Sequence, residues 1–78
     1  MSLKREMHQR IEKALAGWNN YEVEHGRTRK GHNKIVIFGP TGRATIFYPS
    51  TPSDLRGIWN TTSQIRRAMH EIGADPID

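Results

Sequence analysis

The sequence predicts an α+β fold: a helix, a three-stranded antiparallel sheet and a second helix, with both helices on one face of the sheet. Three observations carry this expectation. Apolar residues recur at helical spacing near both ends of the chain, three short runs of strand character lie between them, and turn residues separate those runs. Two helices with one apolar stripe each must both turn that stripe away from water, and one face of a sheet accommodates them.

Leu3, Met7, Ile11, Leu15 and Trp18 follow helical spacing, with Lys4, Arg5, Gln9, Glu12 and Lys13 on the other side. This reads as an amphipathic helix over residues 3–17, stopped by Gly17 and supported by a Glu6–Arg10 pair one turn apart. His8 falls at the edge of the stripe and is expected to be exposed. Tyr21 to His25 alternates with period two and reads as a strand. The second strand runs from Asn33 to Phe38 and the third from Ala44 to Tyr48, joined as a hairpin by Gly39-Pro40-Thr41-Gly42-Arg43. That turn is not a phosphate-binding loop: it lacks the Gly-Lys-Ser/Thr ending, and a strand follows where a helix N-terminus is needed.

Pro49 and Pro52 impose an extended crossing segment. Ser53 or Asp54 is expected to cap a short helical turn through Leu55, Arg56 and Gly57, with Arg56 pairing to Asp54. A separate last helix starts at Asn60 and Thr61, where Thr61 and Gln64 have the capping-box spacing. Ile65, Ala68, Met69 and Ile72 form its apolar stripe, and Gly73 stops it. Trp59 is expected in the core and Ala74 to Asp78 as a loose acidic tail.

The 78 residues make one small domain, 1–78, with a formal net charge of +4 and a sequence pI of about 10.0. A basic pI on a small domain is the electrostatic footprint of a nucleic-acid binder. The chain has no cysteine, which fits a reducing cytoplasm and excludes disulfides and thiolate metal sites. No apolar run approaches the ~20 residues of a membrane span, and no signal-peptide core opens the chain. With no cysteine and no His-Glu spacing of the zinc-binding kind, neither a metal site nor a cofactor is expected.

The positive charge concentrates in one stretch. Arg27, Arg29, Lys30 and Lys34 surround Gly31 and His32, directly before the apolar run Ile35 to Phe38. A cationic loop opening onto a rigid strand suits a polyanion, and a histidine at the junction is a side chain suited to acid or base work. Alternation puts His32, Lys34, Val36 and Phe38 on one strand face and Asn33, Ile35 and Ile37 on the other. The lysine face belongs in water, so Ile35, Ile37, Ile46 and Tyr48 should meet the helices. Val36, Phe38, Thr45 and Phe47 are then left on an open face, a contact surface whose leading use is self-association and whose lesser use is stacking on bases. His25 and His32 flank the loop and would divide acid and base work if the strands placed them opposite each other.

Gly17-Trp18, the basic segment, Gly31-His32 opening a strand, a glycine-containing turn and a strand ending in proline before a last helix resemble the HicA-type mRNA interferase toxins. The resemblance spans Met7 to Gly73 and implies a double-stranded-RNA-binding-domain-like fold. The chain is also similar to a group of small phage and prophage proteins with a Lys-Gly-His strand start and a Ser-Thr-Pro-Ser-Asp segment, here Ser50 to Asp54, followed by Arg56, Asn60 and Arg66-Arg67. The resemblance places the toxins' catalytic histidine at His32. There are two departures: the toxins usually carry a small residue between glycine and histidine, where Gly31 adjoins His32 directly, and they lack the Ser-Thr-Pro-Ser-Asp segment.

Three functions are therefore open. One is a toxin-like RNA-binding protein that cleaves RNA without metal, with His32 as acid or base and Arg29, Lys30 or Lys34 stabilising the transition state. Arg27, Arg66 and Arg67 would add phosphate contacts, and an antitoxin would be its partner. The second is a non-catalytic nucleic-acid-binding module of phage type. The third is a protein-interaction module that engages a host protein through the open sheet face.

Overall fold

The computed structural model describes residues 2–49, 52 and 54–77. Ser50, Thr51 and Ser53, on which part of the crossing-segment and capping expectations falls, lie outside the described residues. The fold is α+β. In chain order the elements are α1 (Leu3–Ala16), β1 (Trp18–Asn19), β2 (Glu22–Arg27), β3 (Asn33–Gly39), β4 (Gly42–Tyr48), α2 (Leu55–Glu71) and β5 (Asp75–Pro76). The main sheet is antiparallel with order β2-β3-β4, and β1 pairs with β5 in a separate two-stranded ribbon.

The core forms where the apolar stripes meet. Met7, Ile11 and Leu15 of α1 and Ile58, Ile65, Ala68 and Met69 of α2 pack with Ile35, Ile37, Ile46 and Tyr48 of the sheet. Both helices thus cover one sheet face, and the molecule measures 34 × 30 × 15 Å. Along α1 the expected pair is present, with Arg10 Nε donating to Glu6 Oε1 at 2.9 Å.

The C-terminal half differs from the sequence expectation in four ways. First, α2 is one continuous helix from Leu55 rather than a short turn followed by a helix. Asp54 caps it, its Oδ1 accepting from the Gly57 N–H at 3.1 Å, and the Thr61 hydroxyl donates to the Gly57 carbonyl at 2.9 Å. These bonds carry the helix through Gly57, and they place Thr61 inside it rather than at a cap. Second, Asp54 serves as that cap and, among the described residues, makes no ion pair with Arg56. Third, Trp59 is 54% exposed. It follows Ile58, the buried residue that sets the phase of the stripe, and one helical step turns it out of the core. There it lines a surface concavity with Leu3, Glu6, Arg10 and Leu55.

Fourth, the tail is paired. Trp18 stands opposite Pro76 and Asn19 opposite Asp75, and the Ile77 N–H donates to the Gly17 carbonyl at 2.9 Å. Gly73, at φ +78°, makes this return possible. The Ala74 N–H donates to the Met69 carbonyl at 3.0 Å and the Gly73 N–H to the His70 carbonyl at 3.3 Å, the glycine-based stop that reverses the chain after a helix.

The β3–β4 turn is the expected hairpin, and it also closes the end of α2. Thr41 donates from its backbone N–H to the Ile72 carbonyl and from Oγ1 to the Glu71 carbonyl, both at 3.0 Å. Those carbonyls have no partner within the helix. The approach requires Gly39: a Cβ there would stand 2.4 Å from the Ile72 carbonyl oxygen.

Candidate nucleic-acid interface

The cationic stretch forms the tip of the β2–β3 hairpin. The ladder closes at Arg27 opposite Asn33. Beyond it the Thr28 N–H donates to the His32 carbonyl at 2.8 Å, and the Gly31 N–H donates to the Thr28 carbonyl at 3.1 Å. Arg29, Lys30 and Gly31 are left as a three-residue loop, and Gly31 takes the left-handed conformation at φ +84° that such a loop requires. The space around Gly31 is open, so the demand there is conformational rather than steric.

This geometry spreads the four cations around one end of the sheet. Arg29 and Lys30 are exposed at the tip. Arg27 lies opposite Asn33, on the same sheet face as Ile35, beyond the cover of the helices. Lys34 lies on the other face and leans across Gly26, its Cε 3.1 Å from where a Gly26 Cβ would stand. No acidic residue occurs between Arg27 and Lys34. Among the described residues none of these four cations makes an ion pair.

His32 is exposed at the root of the loop. Its backbone is held on both sides: its carbonyl accepts the Thr28 N–H, and its N–H donates to Thr28 Oγ1 at 3.2 Å. Sequence reasoning passed over Thr28. The signal was present, a threonine three residues before the turn glycine and four before the histidine, spaced so that its hydroxyl serves the backbone of the returning strand.

The expected pairing of His25 with His32 is not formed. His25 stands opposite Ile35, on the helix-covered face, and His32 lies outside the ladder. The cause is register. β2 continues through Gly26 and Arg27, so the loop is shorter than the alternation of Tyr21 to His25 implied, and His25 moves three positions down the ladder from the loop.

Arg66 and Arg67 are exposed on α2. Arg67 borders a shallow groove with Ala44, Thr45 and Ile46, at the middle of β4. The hairpin tip lies at the end of β4, beside Tyr48, which pairs with Asn33. Arg67 therefore stands beside the middle of β4, away from the loop cations beyond the strand's end. His70, one turn after Arg66, meets the Trp18 ring edge to face at 5.0 Å between centroids.

The open face is as expected. Val36, Phe38, Thr45 and Phe47 share it, and Phe47 is 56% exposed. Among the described residues no group of three or more His, Asp or Glu side chains is placed to hold a metal ion, and no helix is long and apolar enough to cross a membrane. No protein-family model, no curated protein and no solved structure matches the chain.

Proposed function

We propose that this chain is an RNA-binding, toxin-like protein of phage or prophage type that grips the phosphate backbone with the β2–β3 hairpin tip and uses His32 to cleave it. The observation that carries the reading is the clustering of Arg27, Arg29, Lys30 and Lys34 around a histidine whose backbone is doubly fixed by Thr28. Cations that neutralise phosphates supply affinity for any sequence, and a fixed loop supplies the orientation that chemistry needs. The resemblance to HicA-type toxins, which use a histidine at this point of the strand, supports the same residue.

The cleavage is a metal-free transesterification. The ribose 2′-oxygen attacks the adjacent phosphorus, the bond to the 5′-oxygen breaks, and a 2′,3′-cyclic phosphate and a 5′-hydroxyl result. Neutral His32 takes the 2′-hydroxyl proton, or imidazolium gives one to the leaving oxygen; water handles the other transfer. The neighbouring cations meet the charge that gathers on the non-bridging oxygens.

A second reading, a non-catalytic RNA-binding module, is favoured by the placement of His25 opposite Ile35, which leaves His32 without a second imidazole across the hairpin. His32→Ala separates the two. The cleavage reading expects RNA cleavage and growth arrest to be abolished, with an unchanged circular dichroism spectrum, since an exposed substitution costs within about 0.5 kcal/mol. Cleavage that survives the substitution, or a wild type that neither cleaves nor arrests growth, removes the catalytic role.

A further inference from the structure

The helices cover one face of the main sheet, and the ladder arranges the other in three rows: Glu22, Phe38 and Arg43; Glu24, Val36 and Thr45; Gly26, Lys34 and Phe47. The acids stand on the β2 edge and Arg43 on the β4 edge, with an apolar strip along β3 between them. We infer that this face is the interface of a homodimer in which two sheets pack face to face about a twofold axis running along β3.

The charges select the axis. A twofold rotation about β3 lays β2 of one copy over β4 of the other at the same level, as an interface that uses one patch twice requires. Glu22 then faces Arg43 of the second copy, twice over. Glu24 faces Thr45, and Val36 and Phe38 meet their own counterparts on the axis. The row at the hairpin end also fits. Phe47 falls over Gly26 of the second copy, where that copy's Lys34 stem lies in place of a side chain. Lys34 leans off the axis across Gly26, which separates the two lysines and lays the aliphatic stem of each beneath the Phe47 ring of the other copy, its ammonium left to reach water at the β2 edge. The other twofold axis in the sheet plane, across the strands, stacks Glu24 on Glu24 and leaves Arg43 with no acid opposite. Two such sheets usually pack aligned at about −30°, which inclines the axis by roughly 15° to β3 and keeps the central rows in register.

The test is sedimentation equilibrium over a micromolar to millimolar series, with circular dichroism to verify folding. Wild type is expected to reach twice the 9.0 kDa chain mass. Phe47→Lys, Glu22→Arg and Arg43→Glu should each weaken dimerisation at least tenfold. An equimolar mixture of Glu22→Arg and Arg43→Glu should restore it, because each new charge then meets its opposite on the other chain. A wild type that stays monomeric throughout overturns the proposal, as does a Phe47→Lys variant that dimerises like wild type. Failure of the mixture to associate overturns the axis along β3. A monomeric wild type whose RNA affinity falls with Phe47→Ala would assign the face to base stacking instead.

Discussion

Thr28 holds His32 from two directions, receiving its N–H at Oγ1 at 3.2 Å and giving its own N–H to the His32 carbonyl at 2.8 Å. Thr28→Val keeps the shape and the second bond and removes the first. The site is exposed, so water replaces the missing acceptor and the stability cost should stay below about 1 kcal/mol. Amide exchange at His32 should nevertheless quicken, and RNA cleavage should slow while RNA affinity holds. Thr28→Ser should restore both. Exchange at His32 unchanged in the valine variant would show that the hydroxyl does not fix the loop.

The approach of Gly39 to Ile72 should be the least forgiving in the hairpin backbone. A Cβ at Gly39 would lie 2.4 Å from the Ile72 carbonyl oxygen and 2.8 Å from its Cγ1. Neither the backbone nor a fully packed isoleucine yields easily, so Gly39→Ala should cost on the order of 3 kcal/mol. Gly57→Ala, with open space around it inside α2, should be neutral or stabilising. Denaturant melts of the two variants should move in these different directions; equal, small shifts would contradict the close approach.

Burial raises the Tyr48 phenol above its ordinary value of 10.0. The folded state therefore holds this proton more tightly than the unfolded chain. That contribution is fully present below pH about 10 and is lost as pH rises through the higher folded value. Tyr48→Phe carries no such proton, so its stability relative to wild type should improve above pH about 10 and stay constant below it. Parallel alkaline stability curves would show that Tyr48 ionises as freely when folded as when unfolded.

The two-layer arrangement was legible because it rests on periodicity. Ile35 and Ile37 alternate with Lys34, Val36 and Phe38, and this fixes which face meets the helices. The start of α2 was not legible, because Gly57 and Asn60 are poor helix formers; the Asp54 cap could be read, but the bond from the Thr61 hydroxyl back to the Gly57 carbonyl, which ties the first turn to the rest of the helix, could not. The pairing of β5 with β1 was hidden for another reason. Two-residue strands carry no period, and this ribbon exists only because the packing of α1 on α2 brings the two chain segments together. In the candidate site, the cationic cluster could be read from composition. The offset between His25 and His32 could not, since register depends on how far β2 runs before it turns, and Gly26 within the strand disguised its end.

If the hairpin tip binds RNA through phosphates, its affinity depends on salt through the cations of that tip. Removing one cation that neutralises a phosphate should lower the slope of log affinity against log salt concentration by roughly 0.7 to 0.9. Arg29, Lys30 and Lys34 replaced together by Gln should weaken RNA binding and flatten that slope, whereas Arg66 and Arg67 replaced by Gln should change it less, since they lie on α2 and not in the hairpin. A slope unchanged by the triple loop variant would contradict the account and remove the hairpin tip from the binding site.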